Sequence, residues 1–362
     1  MTRTFRIGEF VVDDDSDCFV IAEIGHNHQG RLDQALELVD AAAACGASAV
    51  KLQKRDNRAL FTEEMYNSVY NSENAFAETY GEHRDFLEFG RDEYVAMRER
   101  AEKHGLLFFS TAFDKPSADF LRDLDMPAYK IASGDLTNIP LLEYIASFGK
   151  PMVVSTGGGT MEDVRRAYEA IRPINPNFAI LQCTSGYPPS FEELNLNVIK
   201  TFREAFPDIQ IGLSSHDSGI AMALVGYVLG ARIIEKHFTL NRAMKGTDHA
   251  FSLERGGFSK LVRDLRRARI SMGDGIKRTY DSEKAPLTKM AKSLVAARDL
   301  PVGHVIELGD VAYKSPGDGL PPYRVEELVG LRLASAMRRD EQFREEQIPA
   351  NDRLVASGGA AE

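Results

Sequence analysis

Residues able to do chemistry recur at one kind of place in this chain, at or near the ends of short apolar runs. Glu23 closes "FVIAE", Lys51 and Gln53 sit in "SAVKLQK", Ser110 and Thr111 end "LLFFST", and Lys130 and Ser133 lie in "AYKIASG". Ser155 and Thr156 follow "PMVV", Gln182 and Thr184 lie in "AILQCTS", Ser214 and His216 end "IQIGLSSH", and Glu235 and His237 lie in "RIIEKHF". An unpaired ammonium inside an apolar run is costly, so Lys51 and Lys130 need partners. Either each pairs with a carboxylate, or the two hold an anionic substrate with help from the hydroxyls of Thr111, Ser133 and Ser155. Point charges with short donors suit a phosphate or carboxylate.

His216 and His237 allow two readings: hydrogen-bonded core histidines, or two ligands of one metal. Two imidazoles alone do not complete a zinc site. With waters and substrate oxygens they suit Mn²⁺, Mg²⁺ or Co²⁺ acting as an open Lewis acid. Glu23 is either a structural carboxylate or a general acid/base. His26 and His28 fall past the first run and are assigned to loop positioning, while Asp248 in "KGTDHAFSL" is a loop acid or a binder of substrate hydroxyls.

Eight such runs (19–25, 48–54, 106–113, 128–134, 151–157, 179–185, 209–216 and 232–238) alternate with helix-like segments such as "LDQALELVDAAAACG" and "MEDVRRAYEAIR". The runs show little polar alternation, as expected of parallel strands buried on both faces. Eight strand–helix repeats predict a (β/α)8 barrel over 1–276, whose active site lies at the C-terminal ends of its strands. The polar and aromatic insertion at 55–90 is long for a strand–helix connection and is expected to be an active-site loop. "STGGG" at 155–159 precedes a helix and offers backbone amides to an anion. Residues 277–292 read as a polar linker, and 293–356 as a small β-rich domain ahead of the tail "ASGGAAE".

Composition narrows the function classes. With 362 residues, a net charge of −10 and no long apolar stretch, the chain is expected to be soluble and cytoplasmic, without nucleic-acid or membrane partners. Three widely spaced cysteines, Cys18, Cys45 and Cys183, fit a reducing compartment.

Taken together and in order, "IAEIGHNHQG", "KLQK", "STAFD", "YKIASGD", "VVSTGG", "LQCTSGYP", "GLSSH", "IEKHFT" and "KGTDHAFSL" resemble the N-acetylneuraminate (sialic acid) synthase family. The C-terminal part is similar to that family's small antifreeze-like, or SAF, domain. The resemblance implies a synthase that joins phosphoenolpyruvate to an N-acetylated amino-sugar aldehyde, N-acetylmannosamine first among them, and releases phosphate. Legionaminate or pseudaminate synthases acting on a diacetamido-trideoxyhexose are the alternative, and a non-catalytic sugar-acid binding module is a more remote one.

Carried over by motif, the resemblance gives His216 and His237 to a divalent metal, Mn²⁺ ahead of Mg²⁺ or Co²⁺. It gives Lys51, Thr111, Lys130, Ser133 and Ser155 to phosphoenolpyruvate, and Gln53, Ser185, Tyr187 and Asp248 to the sugar. Glu23 is the first expected acid/base and Asp135 the second, at a position where the family often carries Glu. A domain-swapped homodimer is implied, with the SAF domain of one subunit covering the barrel of its partner. Some relatives carry an arginine immediately before the lid proline; here Ser315 stands there, and Lys314 is the expected substitute.

Overall fold

Residues 3–347 are described by a computed structural model. The first element is one that sequence reasoning missed, a hairpin of β1 (Thr4–Ile7) and β2 (Phe10–Asp13). Ile7 pairs with Phe10 across a two-residue loop in which Gly8 takes φ +56°, a conformation open to glycine without penalty. Phe5, Ile7 and Val12 are fully or nearly fully buried against Phe19, Ile21 and Phe109, and so plug one end of the structure that follows.

That structure is the expected barrel. β3 (Phe19–Glu23), β4 (Ala49–Lys54), β5 (Leu107–Ala112), β6 (Tyr129–Ile131), β7 (Met152–Ser155), β8 (Phe178–Cys183), β9 (Gln210–Ser215) and β10 (Ile233–His237) pair in parallel, in sequence order. The circle closes where β10 pairs with β3, His237 opposite Glu23. All eight strands lie within the runs read from sequence or one residue outside them. Several of those runs overshoot: "AYKIASG" stops pairing at Ile131, because Ser133–Asp135 turn into a short 3-10 helix.

Strand alternation explains why one chain builds both a core and a site. Side chains two apart face the same way. Phe19, Ile21 and Glu23 therefore share the inner face of β3, as Ala49, Lys51 and Gln53 share that of β4. The apolar members pack near the strand starts with the hairpin, and the polar members gather at the C-terminal mouth. Around the barrel, helices such as Leu32–Ala44, Met161–Ile171 and Arg255–Met272 bury their apolar stripes against the outward-facing residues.

The 55–90 insertion contains three short helices, Asn57–Leu60, Glu63–Tyr66 and Tyr80–Leu87. Each is started by a side chain that accepts a backbone N–H two or three residues into the helix, from Asp56, Thr62 and Thr79.

The chain divides into two compact units, Met1–Gly273 and Asp274–Glu362. In the second, the stretch read as a linker contains a helix, Asp281–Met290, with no buried residue. It presents no apolar face to a core, and so its sequence carries no apolar period. Its acidic first turn and Lys289 in its last turn suit the helix dipole. β11 (Ser293–Ala296) and β12 (Val311–Lys314) pair antiparallel over a core that includes Leu294, Leu300, Ile306, Leu328 and Phe343. The expected domain end at 356 and the tail beyond it lie outside the described residues.

Candidate active site

The C-terminal mouth of the barrel is a cleft of ≈ 440 Å³. Two lysines and two glutamates form its charged floor. Lys51 is in direct contact with the Glu23 carboxylate and donates to the Thr111 hydroxyl at 2.9 Å. Lys130 donates to the Ser155 hydroxyl at 2.7 Å and to the Ile131 carbonyl at 2.9 Å. Glu235 stands between the two ammonium groups, 3.9 Å from Lys51 and 3.8 Å from Lys130. The lysines are thus paired to carboxylates, and they also face a cleft with hydroxyls beside them.

Burial raises the Glu23 carboxyl to about 7, against the pull of Lys51. Burial pushes Glu235 upward too, but Lys130 and Lys51 together outweigh it and hold that carboxyl below its ordinary range. Two neighbouring carboxylates with opposite shifts are the pattern of a site with separate acid/base and electrostatic roles. Gly25 is required next to them: it sits at φ +53°, and a Cβ there would come within 3.1 Å of Glu23 Oε1 and 3.2 Å of Asp248 Oδ2.

The two histidines face one another across the opposite rim, with ring centroids 5.2 Å apart. His216 Nδ1 donates to the Thr184 carbonyl at 3.1 Å, which leaves Nε2 outside that hydrogen bond. His237 Nδ1 is buried without a hydrogen-bond partner, 3.6 Å from Asp248 Oδ2, and Glu235 Oε2 is likewise orphaned. Burial holds His237 below its ordinary range, in the neutral form a ligand needs. Among the described residues no group of three or more His, Cys, Asp or Glu is arranged to hold a metal. Two imidazoles with orphaned polar atoms around them could hold a hard divalent cation only if it took its remaining ligands from solvent or substrate.

Gln53, Ser133, Ser185, Tyr187 and Asp248 all line the same cleft. Gln53 donates to Glu23 at 2.7 Å, and the Tyr187 ring lies over His216 with centroids 4.3 Å apart. His26 and His28 take loop roles as expected: His28 stacks on Phe89 and accepts from the Gly30 amide at 3.1 Å.

One expected site residue of the barrel is not brought to the cleft. Asp135 lines a neighbouring cavity with Asp114 and Asn138, and accepts from the Asn138 amide at 3.1 Å. The 3-10 turn after β6 points it there, which removes it from the acid/base role proposed as second choice. Lys314 lies in the second unit, ion-paired with Asp340.

Sequence reasoning counted Glu235 among the strand-end residues without giving it a role of its own, and did not single out two guanidinium groups in the cleft. Glu235 stood at a strand end beside His237, and its inward parity with that histidine was the available signal. Arg55 and Arg84 come from the insertion and approach the two ring nitrogens of His26 at 3.1 and 3.2 Å. Arg55 also donates to Gln53 at 2.6 Å. Arg84 donates to the Tyr80 hydroxyl at 2.9 Å and has no carboxylate at ion-pair distance among the described residues.

Residues 38–277 match the NeuB family, and residues 291–349 match the SAF domain. The chain is 38% identical to N-acetylneuraminate-9-phosphate synthase of Homo sapiens, over 94% of this chain and 95% of that protein. It is 35% identical to N,N'-diacetyllegionaminic acid synthase of Legionella pneumophila, over 88% of this chain and 90% of that one. Among solved structures, N-acetylneuraminic acid synthetase of Leptospira borgpetersenii superposes with a TM-score of 0.70 at 32% identity, covering 79% of this chain and 95% of that one. Barrel, cleft and matches agree: the chain belongs to the NeuB family and is a synthase-type enzyme with a C-terminal SAF domain.

Proposed function

We propose that this enzyme condenses phosphoenolpyruvate with the open-chain aldehyde of an N-acetylated amino sugar, N-acetylmannosamine first among them, giving a nine-carbon 2-keto acid and inorganic phosphate. The observation that carries the reading is the division of one cleft into two halves. Lys51 and Lys130, with the Thr111 and Ser155 hydroxyls, face two histidines with open coordination across the barrel mouth.

Lys51, Lys130 and the hydroxyls of Thr111, Ser133 and Ser155 would hold the phosphate and carboxylate of phosphoenolpyruvate. Gln53, Ser185, Tyr187 and Asp248 would orient the acceptor. His216 and His237 would hold a divalent cation, Mn²⁺ by preference; Lewis-acid polarisation of a carbonyl oxygen is the chemistry such a cation supplies when bound.

Carbon 3 of phosphoenolpyruvate forms the new bond to the aldehyde carbon, and positive charge develops at carbon 2. Glu235, kept ionised by two lysines, stabilises that charge. Water adds at carbon 2, one of its protons passing through ionised Glu23 to the oxygen left by the aldehyde, which becomes a hydroxyl; phosphate then leaves with the adduct's remaining hydroxyl proton as the carbon–oxygen bond breaks and the keto group forms. A homodimer in which one SAF domain covers the partner's barrel belongs to this proposal and rests on the family resemblance.

One observation favours a second acceptor. The Arg84 guanidinium, without a carboxylate partner among the described residues, suits an anionic group on the sugar. Three carbons are added at the aldehyde end, so a 6-phosphate on the acceptor becomes a 9-phosphate on the product, the position named for the human relative.

Phosphate release from phosphoenolpyruvate with Mn²⁺ tests the proposal against N-acetylmannosamine, its 6-phosphate, mannose 6-phosphate and two diacetamido-trideoxyhexoses. Release with one acceptor and formation of a 2-keto acid support it. Release with none would return the chain to the binding-module reading.

A further inference from the structure

His216 and His237 lie on the inner wall of the barrel, and a buried charged cluster that the reaction does not use lies directly behind them. The β9–β10 ladder ends at the pair Ser215–Lys236, so His216 is one residue past the last register pair. Alternation turns Glu235 and His237 inward and therefore turns Lys236, and opposite it Ser215, toward the helix layer.

There the Lys236 ammonium, 1% exposed, donates to the Asp217 backbone carbonyl at 2.6 Å and to Asp217 Oδ1 at 2.9 Å. The Ser215 hydroxyl donates to the same Oδ1, and Asp217 itself is 2% exposed. Lys236 has no other carboxylate at ion-pair distance among the described residues.

A pair this deep is a poor stabiliser, because desolvation of both ions offsets their attraction and apolar residues of similar volume often serve as well. Its connectivity supplies another use. Asp217 follows His216 in the chain and Lys236 precedes His237. The ion pair therefore ties the two imidazole-bearing segments together at the point where the strand ladder stops doing so.

We propose that Lys236 and Asp217 are positioning residues that fix the spacing and orientation of the His216 and His237 rings from the outer wall. This rests on the reading of the two histidines as ligands of a divalent cation. Partners one step removed from a ligand typically change metal affinity by about 10- to 100-fold when lost.

The test uses the full-length, metal-free protein and two readouts: Mn²⁺ affinity by calorimetry, and the ring ¹⁵N signals of the two histidines before metal is added. Asp217→Asn and Lys236→Met should each weaken Mn²⁺ binding by roughly 10- to 100-fold and shift or broaden both ring signals. Asp208→Asn, which breaks the Arg172 pair elsewhere on the barrel, should alter neither.

Each single variant strands a buried charge. If these fail to fold, the double variant Asp217→Asn/Lys236→Met and the milder Ser215→Ala carry the same test. Folded variants with wild-type Mn²⁺ affinity and unmoved ring signals overturn the positioning role. A wild-type protein that binds no Mn²⁺ while the variants still move the ring signals overturns the metal reading and leaves the positioning role standing.

Discussion

His216 and His237 stand 5.2 Å apart, ring centroid to centroid, at the ends of adjacent parallel strands, and neither side chain is committed to the barrel core. His216 engages a backbone carbonyl through Nδ1 alone, and His237 keeps a buried nitrogen without a partner. His216→Ala and His237→Ala should each lower kcat by several kcal/mol of transition-state stabilisation, on the order of losing a Lewis acid. Exhaustive chelation of the wild type should abolish turnover and Mn²⁺ should restore it. Initial rates in Mn²⁺-saturated buffer check the variants, and near-normal rates in either would make that histidine a core residue.

Lys130→Met should raise KM for phosphoenolpyruvate by roughly 10- to 100-fold, the scale of a lost charge-assisted hydrogen bond or two. It also leaves buried Glu235 with one lysine, so unfolding should become easier by about 3–5 kcal/mol. Steady-state kinetics with the acceptor saturating, run beside a denaturant titration, separates the two effects. An unchanged KM for phosphoenolpyruvate would remove Lys130 from the anion site.

Much of this was legible in the sequence, for a specific reason. Strands buried on both faces read as unbroken apolar runs, and a lysine or histidine in such a run is conspicuous, so Lys51, Lys130, His216 and His237 announced themselves. The N-terminal hairpin was missed although Phe5 and Ile7 alternate with exposed Arg6, because four-residue strands give too short a period to read. Arg55 and Arg84 were invisible for a different reason. They belong to an insertion rich in charges, and only the fold of its three short helices decides which of those charges turn toward His26. Asp135 failed in the opposite sense: its motif was informative, but the turn after β6 points it to Asn138.

Arg84→Ala separates the acceptors. With a 6-phosphorylated amino sugar the variant should lose about tenfold or more in kcat/KM, about 1.4 kcal/mol or more, in line with a charge-assisted hydrogen bond. With N-acetylmannosamine it should change little. Equal losses on both would assign Arg84 to holding His26 and the insertion rather than the sugar.

Glu23 gives a pH signature. Its carboxyl is raised to about 7 by burial, and the role proposed for it needs the ionised form. Activity should therefore rise with pH through a limb at or below about 7, lower still once a divalent cation is nearby, and Glu23→Gln should erase the limb together with most turnover. A pH–rate profile of kcat/KM checks it; a limb that falls with increasing pH and vanishes in the variant would make Glu23 an acid instead.

Asp310 makes a prediction about stability in the second unit. Burial pushes its carboxyl up, but the Glu307 amide at 3.0 Å, His304 at 2.6 Å and Arg298 at 2.7 Å hold it at about 2. A carboxyl depressed in the folded state adds stability that is present above its unfolded value near 3.8 and is lost as pH falls toward about 2. Asp310→Asn should cost about 1–3 kcal/mol at neutral pH and flatten that acid limb. Thermal unfolding between pH 2 and 7 measures both, and an unchanged acid limb in the variant would contradict the assignment.

The most direct test of the central claim follows the bridge oxygen of phosphoenolpyruvate. With ¹⁸O at that position, Mn²⁺ and the preferred acceptor, the account predicts one phosphate released for each nine-carbon keto acid formed, with the label in the phosphate. Label retained in the organic product, or turnover of the sugar without phosphate release, would contradict it.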